Sequence, residues 1–334
     1  MKRRAALFGA VAVVLGSAPA AADDITAWLV QVSDAARQSN YQGVVVYRDA
    51  QRMEVMRLVH RQQDGRVQER LTSLTGQSRD ILREGDSVSS LVGDEPVHSS
   101  GPQILFPMLS QDLLTQAATH YEYRDLGLAR VAGRSCRGVM MSPRDEFRYG
   151  YEICGDVVKA VPLRVTLLDR RGRTVEQLVF TEIAFPERID DVAFALTLGA
   201  TRVAVGGATA VNPAAEVNPA ADAPETWRLV TLPPGFRIVR RTLAPSPDGQ
   251  GMAEHVLVSD GLSAVSVFGV RQATPGKAFS GLSSIGGMNA YGLRVGVFHI
   301  TVIGEVPLGT VRMIGDGLAA PSGEDLARPA ELTD

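Results

Sequence analysis

The side chains best suited to metal, redox or nucleophilic chemistry in this 334-residue chain are two cysteines, Cys136 and Cys154, and five histidines, His60, His98, His120, His255 and His299. No two histidines stand at metal-ligand spacing, and no cysteine lies near one, so the pattern names no metal site. The Cys-x-x-Cys spacing that redox exchange favours is absent. So is a Gly-x-Ser-x-Gly elbow. Pro275-Gly276-Lys277-Ala278 looks like the end of a phosphate-binding loop, but Ala278 replaces the magnesium-holding hydroxyl and no glycine stands at position 271. Gly281, Gly286 and Gly287 do not follow a strand in the dinucleotide-binding manner. Acidic residues are plentiful, yet no pair is singled out for acid–base work. A Ser-His-Asp triad assembled from distant segments would leave no local mark, and nothing marks one here. The reading is a binding protein, not an enzyme, with no cofactor and no metal.

The N-terminus sets the compartment. Lys2, Arg3 and Arg4 precede the apolar run ALFGAVAVVLGSA, and Ala20-Ala21-Ala22 offers small residues before Asp23. This reads as a secretory signal peptide over residues 1–22, cleaved after Ala22, because the run is shorter than the roughly 20 residues needed to span a bilayer. Removing it takes the basic count from 34 to 31 against 37 acids, and the net charge from −3 to −6. A chain of that charge carries no nucleic-acid footprint, which needs a basic stripe. Export also favours pairing of the two cysteines. If SCRGVMM and RYGYEIC are arms of a hairpin centred on Asp145, Cys136 and Cys154 face each other and Val139 opposes Tyr151. The alternative is two free buried thiols, which a small slip of register would enforce.

These residues need elements to hold them. Proline, alanine and a repeated VNPAA make residues 204–226 a linker, since such a stretch buries no core. It divides residues 23–203 from 227–318, and 319–334 form a polar tail. The first part opens with a helix capped by Asp23 or Asp24, with Ile25, Trp28, Leu29, Val32 and Ala36 on one face. Strands follow, then a helix over 110–120 capped by Ser110, then more strands, including a hairpin turning at 169–172. The second part is a smaller set of strands closed by a short helix carrying Val311, Ile314 and Leu318. The class is α+β with a large antiparallel sheet. Val44, Val45 and Val46 are consecutive, and Met53, Val55, Met56, Leu58 and Val59 nearly so, which means both faces of the first hairpin are covered. An ordinary core satisfies that pattern. An apolar cavity does so too, and Met53, Met56, Met108, Met140 and Met141 suit one because methionine adapts to irregular ligands.

Longer segments carry a resemblance. GLARVAGRSCRGVMMSPRDEFRYGYEI, PLRVTLLDRRGRTVEQLVFTEI, YQGVVVYRD and LTGQSRDILREGD, with WRLVTLPPGF, VLVSDGLSAVSVFGV and MNAYGLRVGVFHITVIGEVPLGTV, resemble the RseB/MucB family of periplasmic negative regulators of the sigma-E type envelope stress response. Together they span most of residues 24–318. The resemblance departs at YEICGD, where the family often carries a tryptophan-containing strand, so a bridge at Cys154 belongs to this chain's own reading.

The resemblance implies an N-terminal domain similar to the lipoprotein carrier LolA, an unclosed antiparallel β-barrel plugged by helices over an apolar cavity. The C-terminal domain would help grip the periplasmic segment of an anti-sigma factor of RseA or MucA type and shield it from proteolysis. Lipopolysaccharide or lipoprotein acyl chains entering the cavity would release the partner. Each buried methylene contributes about 0.8 kcal/mol, provided that the ligand prefers the partner-free conformation. Candidate lipid-binding residues are Val45, Tyr47, Met56, Leu58 and Leu91, although one residue of register reverses which face of the first hairpin looks inward. Candidate partner-binding residues are Phe236, Asp260, Gly261 and Phe268, with Asp260-Gly261 read first as a turn. A lipid or lipoprotein carrier is the competing function, but a single-domain carrier gives the SDGLSAVSVF region no purpose. A homodimer stays open.

Overall fold

The structure is a computed structural model that describes residues 20–84, 87–92, 95–96, 109–195, 227–245, 252–271 and 279–320. Most of the signal peptide, the linker, most of the tail, Met108 and the Pro275–Ala278 stretch lie outside the described residues.

The N-terminal part is one antiparallel sheet of eleven strands with two helices on its inner face. Helix α1 (Ala20–Gln38) leads into β1 (Tyr41–Arg48), β2 (Met53–Gln63), β3 (Arg66–Ser73), β4 (Arg79–Glu84), β5 (Ser87–Val92) and β6 (Glu95–Pro96). Helix α2 (Gln111–Ala117) then precedes β7 (Tyr121–Val131), β8 (Arg134–Pro143), β9 (Gly150–Asp156), β10 (Pro162–Leu168) and β11 (Thr174–Ala184). The order is β6-β5-β4-β3-β2-β1-β11-β10-β9-β8-β7, so β6 and β7 are its edges and the sheet does not close.

The helix α1 starts at Ala20, ahead of the caps expected at Asp23 or Asp24. Three alanines carry the highest helix propensity, and nothing between them and Asp23 stops the helix. Its apolar stripe of Ile25, Leu29, Val32 and Ala36 packs with Leu113, Leu114 and Ala117 of α2 onto Val139, Met141, Tyr151, Ile153 and Leu167. Ser110 caps α2, its Oγ accepting from the Leu113 amide at 3.2 Å.

Of the three consecutive valines, Val44 and Val46 are only half-buried, on the outer side. Val45 is fully buried on the inner face with Tyr41, Leu58, Leu71 and Phe180. Outside, Val59 and Leu82 are covered by Ile189 and Phe194, the latter in a short 3-10 helix (Asp191–Phe194). Arg61 ties this strap down by donating to the Ile189 carbonyl at 2.6 Å and to Asp191 at 2.7 Å, and Arg70 donates to the Ala193 carbonyl at 3.1 Å. Gly43 is required because β11 passes so close that any Cβ there would strike the Glu182 carbonyl.

The C-terminal part is a second antiparallel sheet. After β12 (Arg228–Leu229) come β13 (Arg237–Pro245), β14 (Met252–Ser259), β15 (Ala264–Arg271), β16 (Gly281–Ile285), β17 (Met288–Val295) and β18 (Phe298–Gly304). Helix α3 (Leu308–Asp316) and β19 (Leu318–Ala319) close it, β19 pairing with β12. The six-stranded order is β13-β14-β15-β18-β17-β16. Val311 and Ile314 of α3 bury themselves with Trp227, Val256, Val267, Ile300 and Val302. Leu318 packs on the same core, but from β19, since the helix has already ended at Gly317.

Cys136 and Cys154 are joined by a disulfide. The hairpin register differs from the expected one. Gly138 pairs with Cys154, Cys136 with Asp156 and Val139 with Ile153, so Tyr151 faces Met141 instead of Val139. The hairpin is therefore centred one residue later, on Glu146. The cysteines become diagonal neighbours on the same face, with Cα atoms 5.4 Å apart. A diagonal pair ordinarily lies about 7–8 Å apart, and strand twist draws one diagonal closer. Both cysteines are fully buried, on the face away from α1, beside Val131 and Leu163.

Candidate functional site

Two places gather the candidate residues: the inner face of the first strands and the junction between the sheets. Inside, Val45 pairs with Met56, Gly43 with Leu58 and Tyr47 with Glu54. Side chains two apart share a face, so Val45, Tyr47, Met56 and Leu58 all point to the side that carries α1. Ala35 of that helix packs against both the Val45 cluster and the helix core. Leu91 falls elsewhere. Its register partner is Asp80, whose carboxylate grips Arg70 at 2.9 and 2.6 Å in the outer-face series beneath the strap. The fifth lipid candidate thus occupies an outer-face register position, by the parity that the sequence left open; its side chain lies outside the described residues.

The inner face ends in a polar row. Tyr41 pairs with His60, His60 with Glu69, and Glu69 with Arg83. The Tyr41 and His60 rings stack at 4.6 Å, and His60 Nδ1 lies 2.9 Å from the Ser39 carbonyl. Burial pushes His60 down despite that bond, and pushes the Glu69 carboxyl up against the opposing pull of Arg83. Both groups are thereby driven toward their uncharged forms.

The junction is built by the tip of the disulfide-bonded hairpin. Asp145, Phe147, Arg148 and Tyr149 stand where turn residues are expected, and each is used. Arg148 is fully buried. Its Nε donates to Asp260 at 2.6 Å and its Nη2 to the Pro234 carbonyl at 2.6 Å. Nη1 pairs with Asp145, and the guanidinium lies 5.0 Å from the Phe236 ring centre. Phe147 packs on the C-terminal core, and its carbonyl accepts from Thr310 Oγ1 at 2.9 Å. Asn289 Nδ2 donates to the Tyr149 hydroxyl at 3.0 Å.

Asp260 also caps its own turn, its Oδ1 accepting from the Leu262 and Ser263 amides at 2.9 and 2.6 Å. Gly261 adopts φ of 100°, and a Cβ there would strike Leu113 of α2. Leu262 enters the N-terminal core beside Leu113. The charge of Asp260 also contributes to holding the buried Tyr121 hydroxyl well above its ordinary range, after burial itself.

Three of the four partner candidates, Phe236, Asp260 and Gly261, are thus engaged within the chain. Phe268 lies apart, on the sheet face away from α3, stacked on His255 at 4.4 Å. His255 contacts Ser266 Oγ at 3.0 Å and is lowered to about 4 by burial and by Arg240, which keeps it neutral. Sequence reasoning missed Phe147, Arg148, Tyr149, Leu113, Leu262 and Asn289. The one available signal was a hairpin tip carrying Phe, Arg and Tyr in place of Gly, Asn or Asp.

Comparisons with known proteins cover nearly the whole of this arrangement. The model of the MucB/RseB N-terminal domain matches residues 24–198, and that of the MucB/RseB C-terminal domain matches 221–319. The sigma factor AlgU regulatory protein MucB of Pseudomonas aeruginosa is 31% identical over 303 residues, covering 88% of this chain and 90% of its own. The sigma-E factor regulatory protein RseB of Escherichia coli is 30% identical over 310 residues, covering 91% and 94%. Among solved structures, the Pseudomonas aeruginosa MucA/MucB complex matches with a TM-score of 0.65 and 27% identity, over 90% of this chain and all of that one.

Proposed function

The chain belongs to the MucB/RseB family, and on that premise we propose that it is a periplasmic regulator that grips the periplasmic segment of an anti-sigma factor. The single observation that carries this is its likeness, over both domains, to a MucB solved together with MucA. In this reading residues 1–22 are removed on export. The bound regulator shields its partner from proteolysis, and an acyl-chain amphiphile such as lipopolysaccharide or a lipoprotein releases it.

The apolar inner face supports the ligand half of the reading. Val45 and Leu58 are buried there and Met56 partly so, and side chains of this kind offer about 0.8 kcal/mol for each methylene they cover. The partner half is constrained by the junction. Phe236 and Asp260 become available to a partner only when the hairpin tip withdraws, and Gly261 only when it parts from Leu113 of α2, whereas Phe268 needs no such opening. A ligand that favours one arrangement of the domains over the other therefore changes the partner's access.

The experiment is to measure binding of the chain from Asp23 onward to the periplasmic segment of the anti-sigma factor from the same organism, then to add lipopolysaccharide. Tight binding reversed by the lipid is the expected result. Lipid capture without partner binding would turn the reading toward a lipid or lipoprotein carrier, and neither activity would sink both. A Met56→Glu substitution places a charge on the inner face and is expected to weaken lipid capture at least tenfold while partner binding persists. Unchanged capture would remove Met56 from the lipid surface.

A further inference from the structure

Beyond the Arg148 knot, the domains meet a second time around two carboxylates. Glu176 of β11 accepts the Gly287 amide hydrogen in the turn between β16 and β17. Glu305, just past β18, reaches the same turn. A Cβ built on Gly287 would lie 3.4 Å from Glu176 Oε1 and 3.4 Å from Glu305 Cγ. The pair is therefore contributed by both domains and brought together only when they dock.

The surroundings do little to neutralise it. From β1, Tyr47 lies beside Glu176, with Asp49 and Arg52 behind it. Tyr149 and Tyr151 face the pair from the hairpin, and Asp169 adds negative charge from the turn before β11 while pairing with Arg173 at 2.6 Å. On the C-terminal side stands the neutral Asn289, bonded to Tyr149. Arg52, the cation packed on the Tyr47 ring, is spent on Asp49 and Glu54.

We propose that Glu176 and Glu305 form a proton-linked contact between the two domains, which acid closes and alkali loosens. The proton comes from solvent as the domains dock, and no other group has to change. Although Glu305 keeps solvent exposure, the protein packed around its carboxyl and, after that, the charge of Glu176 push it up to about 7 from 4.5. Its titration supports the sign. A carboxyl whose docked value is raised disfavours docking wherever it must ionise. Docking is therefore strongest below about pH 4.5, weakens as pH rises toward about 7, and is level above that. Between pH 5 and pH 8 that rise corresponds to at most about a hundredfold change in the docking constant, a ceiling that solvent screening of the exposed Glu305 lowers. The inference stands independently of what the protein regulates.

The test is hydrogen exchange of residues 281–290 in the chain from Asp23 onward at pH 5 and pH 8, corrected for the intrinsic pH dependence with the free peptide. Protection falling by up to about a hundredfold at pH 8 is expected in the wild type, with a flat response in Glu305→Gln. A wild type equally protected at both pH values overturns the proposal, and so does Glu305→Gln retaining the full wild-type response. Should that variant fold poorly, Glu176→Gln serves the same purpose. Its amide oxygen still accepts the Gly287 hydrogen, so only the charge is lost and a smaller pH response is expected, burial being the larger cause; a response there as large as that of the wild type also overturns the idea.

Discussion

Arg148 shows how much one side chain can decide. Its guanidinium, itself fully buried, spreads three donors over Asp260, Asp145 and the Pro234 carbonyl while lying against Phe236. A buried ion pair is weak evidence of net stabilisation, because desolvation offsets most of the attraction. Removing one member is another matter, since the other charge stays buried. Arg148→Ala is expected to cost about 3–5 kcal/mol by urea unfolding. Arg148→Lys should recover little of this, because an ammonium is a point charge and cannot match the planar fork. A variant as stable as the wild type would remove the arginine from this role. Asp260→Asn should cost less than Asp260→Ala, since an asparagine oxygen can still cap the Leu262 and Ser263 amides.

At the scale of elements, the β8–β9 hairpin carries the disulfide at its open end and the docking residues at its tip. The bridge closes a loop between Cys136 and Cys154, positions 18 apart in sequence, and a loop of that size contributes about 3 kcal/mol. Replacing both cysteines by serine is expected to lower stability by about that amount, read as a fall of the urea midpoint. An unshifted midpoint would mean that β-pairing alone holds the hairpin. This element was partly legible in sequence. Export and spacing favoured pairing of the cysteines but left free thiols open, and their diagonal placement was not readable, because a shift of the hairpin centre by one residue leaves every local pattern intact. Ser110 announced α2 by its cap, and Val311 with Ile314 announced α3 by their period. The direction of Val45 and Met56 was not readable, since both faces of the hairpin are apolar. Leu91 fell to the outer series for the same reason. The strap that explains Val59 and Leu82 lies more than 100 residues further on, and nothing local to either strand points to it. Asp260-Gly261 was rightly legible as a turn, but its engagement by Arg148 depends on a contact 112 positions away.

For the whole molecule, the junction decides whether the two sheets behave as one cooperative unit. They share the Arg148 knot, the Leu113–Gly261–Leu262 contact and the Glu176–Gly287 bond, so each domain loses buried partners if the other unfolds. Coincident transitions by independent probes are the mark of two-state unfolding. The chain supplies such probes, because its only two tryptophans are Trp28 in the N-terminal domain and Trp227 in the other. Trp28→Phe leaves Trp227 to report on the C-terminal core, and Trp227→Phe leaves Trp28 to report on the helix-covered sheet. In urea the two fluorescence transitions are expected to share one midpoint, once each is referred to the far-ultraviolet circular dichroism of the same variant. Adding Arg148→Ala should separate them, with the less stable domain melting first. Separate midpoints already present without that substitution would mean that the docked arrangement adds little free energy. The domains would then be free to reorient at small cost, and a ligand on the inner face would need only a small preference to redistribute them. A single midpoint that survives Arg148→Ala would shift the coupling to the Leu113–Gly261 contact, where Gly261→Ala becomes the decisive variant, because a methyl group there meets Leu113 on a backbone of positive φ.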